Sequence, residues 1–495
     1  MKNARISLSI LITAIMAMMG TTTHAQTLNS GDILYHSYHN PQAVRLNPAF
    51  FPNNANFYIS GPRVGFGLSL PMSYSDLGMH VEGDSTVLDL NHILEQIETT
   101  GTRFGLTGDG DILGFGFKIK PFGLRINAAL GVKLDGTLDV PTDMAKLVTE
   151  GNTGQNRNLT MNANDMMMMQ AYGYLSLGAS MELPMVSNLT VGARLNILDG
   201  IFVSSVKSMN INLVTGDHNE NLRLSADYLV NSAGMYGLKN KGRLKYSFER
   251  QEDASFSNFG FTFDLGANYH IGDYDISLSL LDVGPGICWS NNAMTLEPKH
   301  KGSSVTFDGM NLTTLLTDGV VDTATLYSYG DSLMNMIAAD TTLHNFWTGV
   351  PTRLYLGASY SMGPLLRLGY LFHGEWNRGL FYRHSTFRFN NTLSATANLM
   401  DWMDLTVANS ITFDGNGMDF INPGISASIN LFRRLQVYGA IDYASNLYLV
   451  NIKSFRFFAG ISFVALKTNP FLVIPDETSP LETRYDSSEE APAGE

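Results

Sequence analysis

The sequence predicts an all-β protein, a transmembrane antiparallel β-barrel of about 14 strands, on three observations. Apolar and polar residues alternate with period 2 in segment after segment. The links between those segments are alternately tight and long. No stretch beyond the first two dozen residues stays apolar for the roughly 18 to 20 positions that a membrane helix needs. In 189–197, Leu189, Val191, Ala193, Leu195 and Ile197 fall on one face and Thr190, Gly192, Arg194 and Asn196 on the other. The same division recurs in 124–134 and in 353–362. One half-buried strand of a soluble sheet shows the same alternation, so the loop lengths carry the decision.

Composition agrees. Only 16% of the 495 residues are charged, and the 47 glycines and 11% aromatic residues suit strands, tight turns and interfacial rings. The net charge of -13 and the absence of any basic run disfavour a nucleic-acid partner.

Taken in order, residues 1–25 read as a secretory signal. Lys2 and Arg5 precede the apolar run Ile6 to Gly20, and Thr23-His24-Ala25 resembles a cleavage site. Residues 26–54, rich in Asn, Pro and His, are expected to form an amino-terminal plug or hatch. The barrel is expected over 55–466, opening with a strand around 56–70 that Pro62 threatens to break. Six hairpins follow, at 112–119 with 124–134, 171–183 with 189–203, 258–271 with 275–282, 352–362 with 365–373, 386–399 with 404–413, and 423–431 with 435–443. A closing strand runs over 454–464. Long inserts at 135–170, 204–257 and 283–351 and shorter ones at 374–385, 414–422 and 444–453 fall on the side opposite the tight links. That sorting matches short periplasmic turns and longer external loops. Strands near 209–214, 222–230 and 243–249 would extend a hairpin above the membrane, and short helices are expected at Val87 to Thr99, Thr142 to Glu150 and Asp331 to Ala339. Residues 467–495 read as a disordered acidic periplasmic tail.

Asn47-Pro48-Ala49-Phe50-Phe51-Pro52 resembles the amino-terminal motif of a Bacteroidota outer-membrane family known as a domain of unknown function. Phe261 to Ala267, Leu281-Asp282-Val283-Gly284 and Leu354 to Ala358 fit it in order. Asn47-Pro48-Ala49 is also similar to the signature of FadL-type fatty-acid channels, and PorV-like secretion partners share the broad architecture. The likeness to FadL-type channels implies a hatch inside a barrel of fourteen strands.

No motif for an enzyme, cofactor or metal site stands out. Thr107-Gly108-Asp109-Gly110-Asp111 reads as a glycine turn, His36 and His39 as solvated loop histidines, and Met166 to Met169 as a greasy contact just ahead of a strand. Interior charge is more telling. If the apolar faces meet lipid, Arg125, Arg194, Asp264, Arg353, Arg367, Arg388 and Arg456 project into the lumen, as do Lys133, Glu182, Arg223, His270 and Asp442. Turning Arg194 to lipid would cost about 2 to 4 kcal/mol at the midplane. These charges should pair with one another, meet the plug or line water.

The expected function is therefore a FadL-like outer-membrane barrel that binds or passively transports hydrophobic small molecules, in contact with outer-membrane lipid. A non-transporting scaffold for a secretion or cell-surface protein partner is the second reading. A secreted soluble β protein that binds glycans is the third.

Overall fold

The computed structural model describes residues 31–52, 55–73, 80–82, 85–87, 92, 103–119, 123–152, 157–216, 221–240, 246–250, 258–299, 301–302, 304–307, 316–317, 320–321, 339–383, 385–400, 403–414, 417–432, 434–442 and 453–466. The expected signal (1–25), the expected tail (467–495), and most of the expected helices at 87–99 and 331–339 lie outside them.

Fourteen strands close into one antiparallel ring. They are β1 (Ala55–Ser69), β2 (Arg103–Ile119), β3 (Leu124–Asp139), β4 (Asn158–Glu182), β5 (Leu189–Thr215), β6 (Phe259–Ile271) and β7 (Tyr274–Trp289). Then follow β8 (Thr352–Met362), β9 (Leu366–Trp376), β10 (Phe387–Met400), β11 (Met403–Asp414), β12 (Gly417–Leu431), β13 (Leu435–Asp442) and β14 (Ser454–Leu466). Each pairs with its sequence neighbour, and β1 pairs with β14 from Ala55↔Leu466 to Ser69↔Ser454, which removes any free edge.

The alternation sorts solvent from lipid. Phe66, Phe115, Val132, Leu177, Ile276 and Leu356 face outward, while the residues beside them on the same strands face in. A closed barrel with such an outer belt is the form strands take across an outer membrane, and this protein is an outer-membrane β-barrel. The tight links fall on one side: Gly272-Asp273 joins β6 to β7 and Gly363-Pro364-Leu365 joins β8 to β9.

Several boundaries differ from the sequence reading. Pro62 does not end β1, which runs to Ser69, but the pairing to both neighbours skips Gly61 and Pro62, and the register to β14 shifts there. Thr107 to Asp111 are not a turn but the middle of β2, with Asp109 paired to Gly65 and Lys133. Met166 to Met169 lie within β4 rather than ahead of it. The expected insert at 414–422 is mostly strand, since β12 begins at Gly417.

β4 and β5 have 25 and 27 residues, whereas about 9 to 11 suffice to cross the bilayer. Their far halves stand beyond it on the long-loop side. There the strand Leu222–Gly234 pairs with Phe202–Thr215 of β5 and with the short strands Met294–Pro298 and Ser304–Phe307. Arg223 belongs to this extension and is exposed, not in the lumen as the sequence suggested, because alternation above the membrane no longer separates lipid from interior. Helix α1 (Ala43–Leu46) lies in the amino-terminal segment, and helix α2 (Thr142–Glu150) follows β3.

Candidate functional site

Residues Gly31 to Pro52 occupy the lumen, and all are buried except Ser37 and Arg45, which are partly so. Their apolar side chains meet apolar residues on the inner wall. Ile33, Leu34, Tyr35, Tyr38, Leu46 and Phe50 pack with Leu281, Tyr355, Leu371, Tyr438, Ala440 and Phe458. Tyr35 stacks on Tyr355 at 5.4 Å between centroids, and Tyr355 on His373 at 4.3 Å. Polar anchors flank this contact. Asp32 Oδ2 accepts from His373 Nδ1 at 3.3 Å and Asn390 Nδ2 at 2.9 Å, and the Ile33 N–H donates to Asp442 at 3.4 Å.

Asn47-Pro48-Ala49 sits against β5, β6 and β7. The Asn47 amide donates to the Ala267 and Leu278 carbonyls, each at 3.2 Å, and its Oδ1 accepts the Ala49 N–H at 2.9 Å. The wall makes room by lacking side chains. A β-carbon on Gly192 would lie 2.3 Å from the Pro48 carbonyl oxygen, far inside contact distance. Gly357 and Gly369 leave a comparable recess for Tyr35 and His36.

Arg194 ties segment and wall together. Its Nε meets Asp264 on the adjacent strand, while its terminal nitrogens donate to the Val44 and Arg45 carbonyls at 3.0 and 2.8 Å. Those carbonyls belong to the last turn of α1, where intrahelical donors run out and a cation is favoured. Asp264 also accepts from Asn196 Nδ2 at 3.0 Å and from the Asp282 N–H at 2.6 Å, so the buried carboxylate is fully engaged.

A second ionic cluster lies beside it. Arg45 from the segment meets Asp111 at 2.7 Å and Asp109 at 3.4 Å, Arg63 meets Asp109, and Tyr174 donates to Asp111. Asp282 meets Arg353 and, at 3.4 Å, Lys133. These groups surround a cavity of about 90 Å³. A further cavity of about 40 Å³ toward the long loops is lined by Glu375, Arg378 and Arg388.

The other lumen candidates have distinct settings. Arg367 donates to the His36 carbonyl at 3.3 Å and lies 4.6 Å from the Tyr38 ring centre. Arg456 is buried and donates to Thr107, and Arg125 lies 6.0 Å from the Phe51 ring. His270 and Glu182 are not deep in the lumen but at the tight-turn rim, facing Asp275 and the Asn188 N–H.

His36 and His39 are buried rather than solvated, because the walls of β8 to β12 cover a segment that in sequence looks like open loop. His36 Nε2 lies 3.2 Å from the Tyr370 carbonyl. Burial lowers the His36 imidazole to about 4, with the nearby Arg367 charge adding to it and the Tyr370 carbonyl opposing. Among the described residues no three His, Cys, Asp or Glu side chains converge as a metal site.

A family model matches residues 48–442, from the second residue of the Asn-Pro-Ala motif to the end of β13. The chain belongs to DUF5723, a family of unknown function. No curated protein matches it. Among solved structures, the toluene transporter TodX of P. putida superposes with a TM-score of 0.39 at 11% identity, covering 90% of this chain and 95% of that one. A TodX deletion mutant, described as a monoaromatic hydrocarbon channel, gives 0.42 at 10% identity over 90% and 96%. A Pseudomonas aeruginosa FadL homologue gives 0.39 at 10% identity over 90% and 100%. The barrel of this DUF5723 protein is established by its own closed ring of pairings, to which superpositions at such scores add nothing.

Proposed function

We propose that this DUF5723 protein is a gated outer-membrane passage for small hydrophobic molecules, with residues 31–52 as the plug. The observation that supports this reading is the character of the plug's seat. Water-filled barrels have polar interiors, whereas the wall under the plug presents Leu281, Tyr355, Leu371, Tyr438, Ala440 and Phe458. Withdrawal of the plug uncovers an apolar, aromatic sleeve of the kind that takes apolar ligands. The plug is held by hydrogen bonds through Arg194, Asp32 and Asn47 and by the ion pairs of Arg45 with Asp111 and Asp109. Asn47, Pro48 and Ala49 anchor the plug to the wall, and the lumen charges hold the closed state.

Deleting residues 27–54 tests the reading. Planar-bilayer conductance and uptake of an apolar fluorescent dye into liposomes should both rise over the intact chain. Unchanged conductance and uptake in a correctly folded deletion variant would defeat it. A scaffold role finds support in one feature, the β4–β5 hairpin and its added strands, which offer a paired sheet beyond the membrane to a protein partner.

A further inference from the structure

A cavity of about 70 Å³ lies away from the ionic clusters, between residues 36–40 of the plug and β8 to β13, and reaches the tight turn at Gly363 to Leu365. One enclosed water needs roughly 10 to 15 Å³ on the same scale, so the space suits a molecule of a few heavy atoms. Its lining is polar in an unusual way. Buried Asn40 and Tyr438, 2% and 3% exposed, bring an amide nitrogen and a hydroxyl with no hydrogen-bond partner among the described residues. The Ser428 hydroxyl and one carboxylate oxygen of Asp404 are in the same condition. Buried polar atoms without partners are costly and rare, and four on one cavity mark a place where a polar guest belongs.

The charges narrow the guest. Arg367 lines the cavity, yet its contacts are neutral: the Ser361 hydroxyl, the His36 carbonyl and the Tyr38 ring. Asp404 lines the same cavity, and no ion pair joins it to Arg367. A cation and a carboxylate thus share one small polar space while staying apart.

We propose that this cavity binds a small zwitterion, an α-amino acid with a short side chain. The ligand carboxylate meets Arg367 and the Asn40 amide, and the ammonium meets Asp404 and the Ser428 hydroxyl. The site borders the tight turn at Gly363 to Leu365 and its polar lining does not depend on passage through the lumen, so it stands whether or not the plug gates a hydrophobic route.

The test uses the full chain in detergent, with glycine as probe and acetate and methylamine as single-charge controls, read by saturation-transfer NMR and calorimetry. Glycine should bind and both controls should bind at least about tenfold more weakly. Asp404→Asn, which removes no contact seen among the described residues, should weaken glycine about tenfold while leaving acetate unchanged. Arg367→Gln should weaken glycine as well, and Ser428→Ala, on the wall side of the cavity, should do so to a smaller degree. Acetate binding as tightly as glycine, glycine binding unaffected by Asp404→Asn, or no glycine signal at millimolar concentration with a folded barrel would each overturn the proposal.

Discussion

Gly266 on β6 faces Asn47 so closely that a β-carbon placed there would lie 2.1 Å from the Asn47 side-chain oxygen. The plug motif fits because the wall is notched, and the notch is made by the absence of atoms. Gly266→Val is expected to displace Asn47 at a cost of about 1 to 3 kcal/mol to the seated plug. A thiol placed by Ser37→Cys should then react faster with a water-soluble maleimide than it does in the otherwise unaltered chain.

Removing the Arg194 guanidinium leaves Asp264, 2% exposed, without its cationic partner and frees two helix-end carbonyls. Arg194→Met should lower stability by about 3 to 5 kcal/mol, the range for breaking one side of a buried pair. Urea unfolding from lipid vesicles measures it. Adding Asp264→Asn should recover part of the loss, since the stranded charge goes with it.

Leu177 and Ser176 are neighbours on β4 with opposite fates, outward and inward. Leu177→Arg should destabilise the inserted barrel by about 2 to 4 kcal/mol. The same unfolding measurement in vesicles tests it, and an effect near zero would mean that this face does not meet lipid.

The plug should loosen in acid. His36 is held near 4 when seated and returns toward its ordinary value of 6.5 when the segment leaves the lumen, so the free form takes up the proton more readily. Above about pH 6.5 both forms are neutral and nothing is lost. Between there and about pH 4 seating weakens progressively, by on the order of 3 kcal/mol in full. Conductance recorded from pH 8 to 4 should rise through this window, and His36→Gln should flatten the rise.

The fold was legible wherever the two faces of a strand meet different media. Leu189 to Ile197 and Leu354 to Met362 alternate because one side touches lipid and the other the packed lumen. Arg194, Arg353 and Asp264 follow from the same rule, since a charge on such a strand has one affordable direction.

What was hidden lacked that contrast. In β2 the outward positions beside Asp109 and Asp111 are Gly108 and Gly110, so this stretch of the strand offers no apolar row and Gly-Asp repeats look like a turn. Arg45 finds Asp111 across 66 residues of sequence, a meeting that only the seated plug creates. His36 and His39 have polar sequence neighbours, and their burial comes from walls hundreds of residues away. Above the bilayer, Asn158, Thr160 and Asn162 of β4 are exposed while Leu159 and Met161 are buried, so the alternation persists there but no longer tells lipid from lumen.

The seam between β1 and β14 governs how such a molecule can be put together. The ring shuts only when the last strand reaches the first, and the segment filling the interior is tethered directly ahead of that first strand. A bolt this bulky, pinned by buried contacts on many staves, is more readily wrapped than threaded. Assembly would then be a matter of folding the cask around its contents, and any later release must undo the inner contacts while the hoop stays whole.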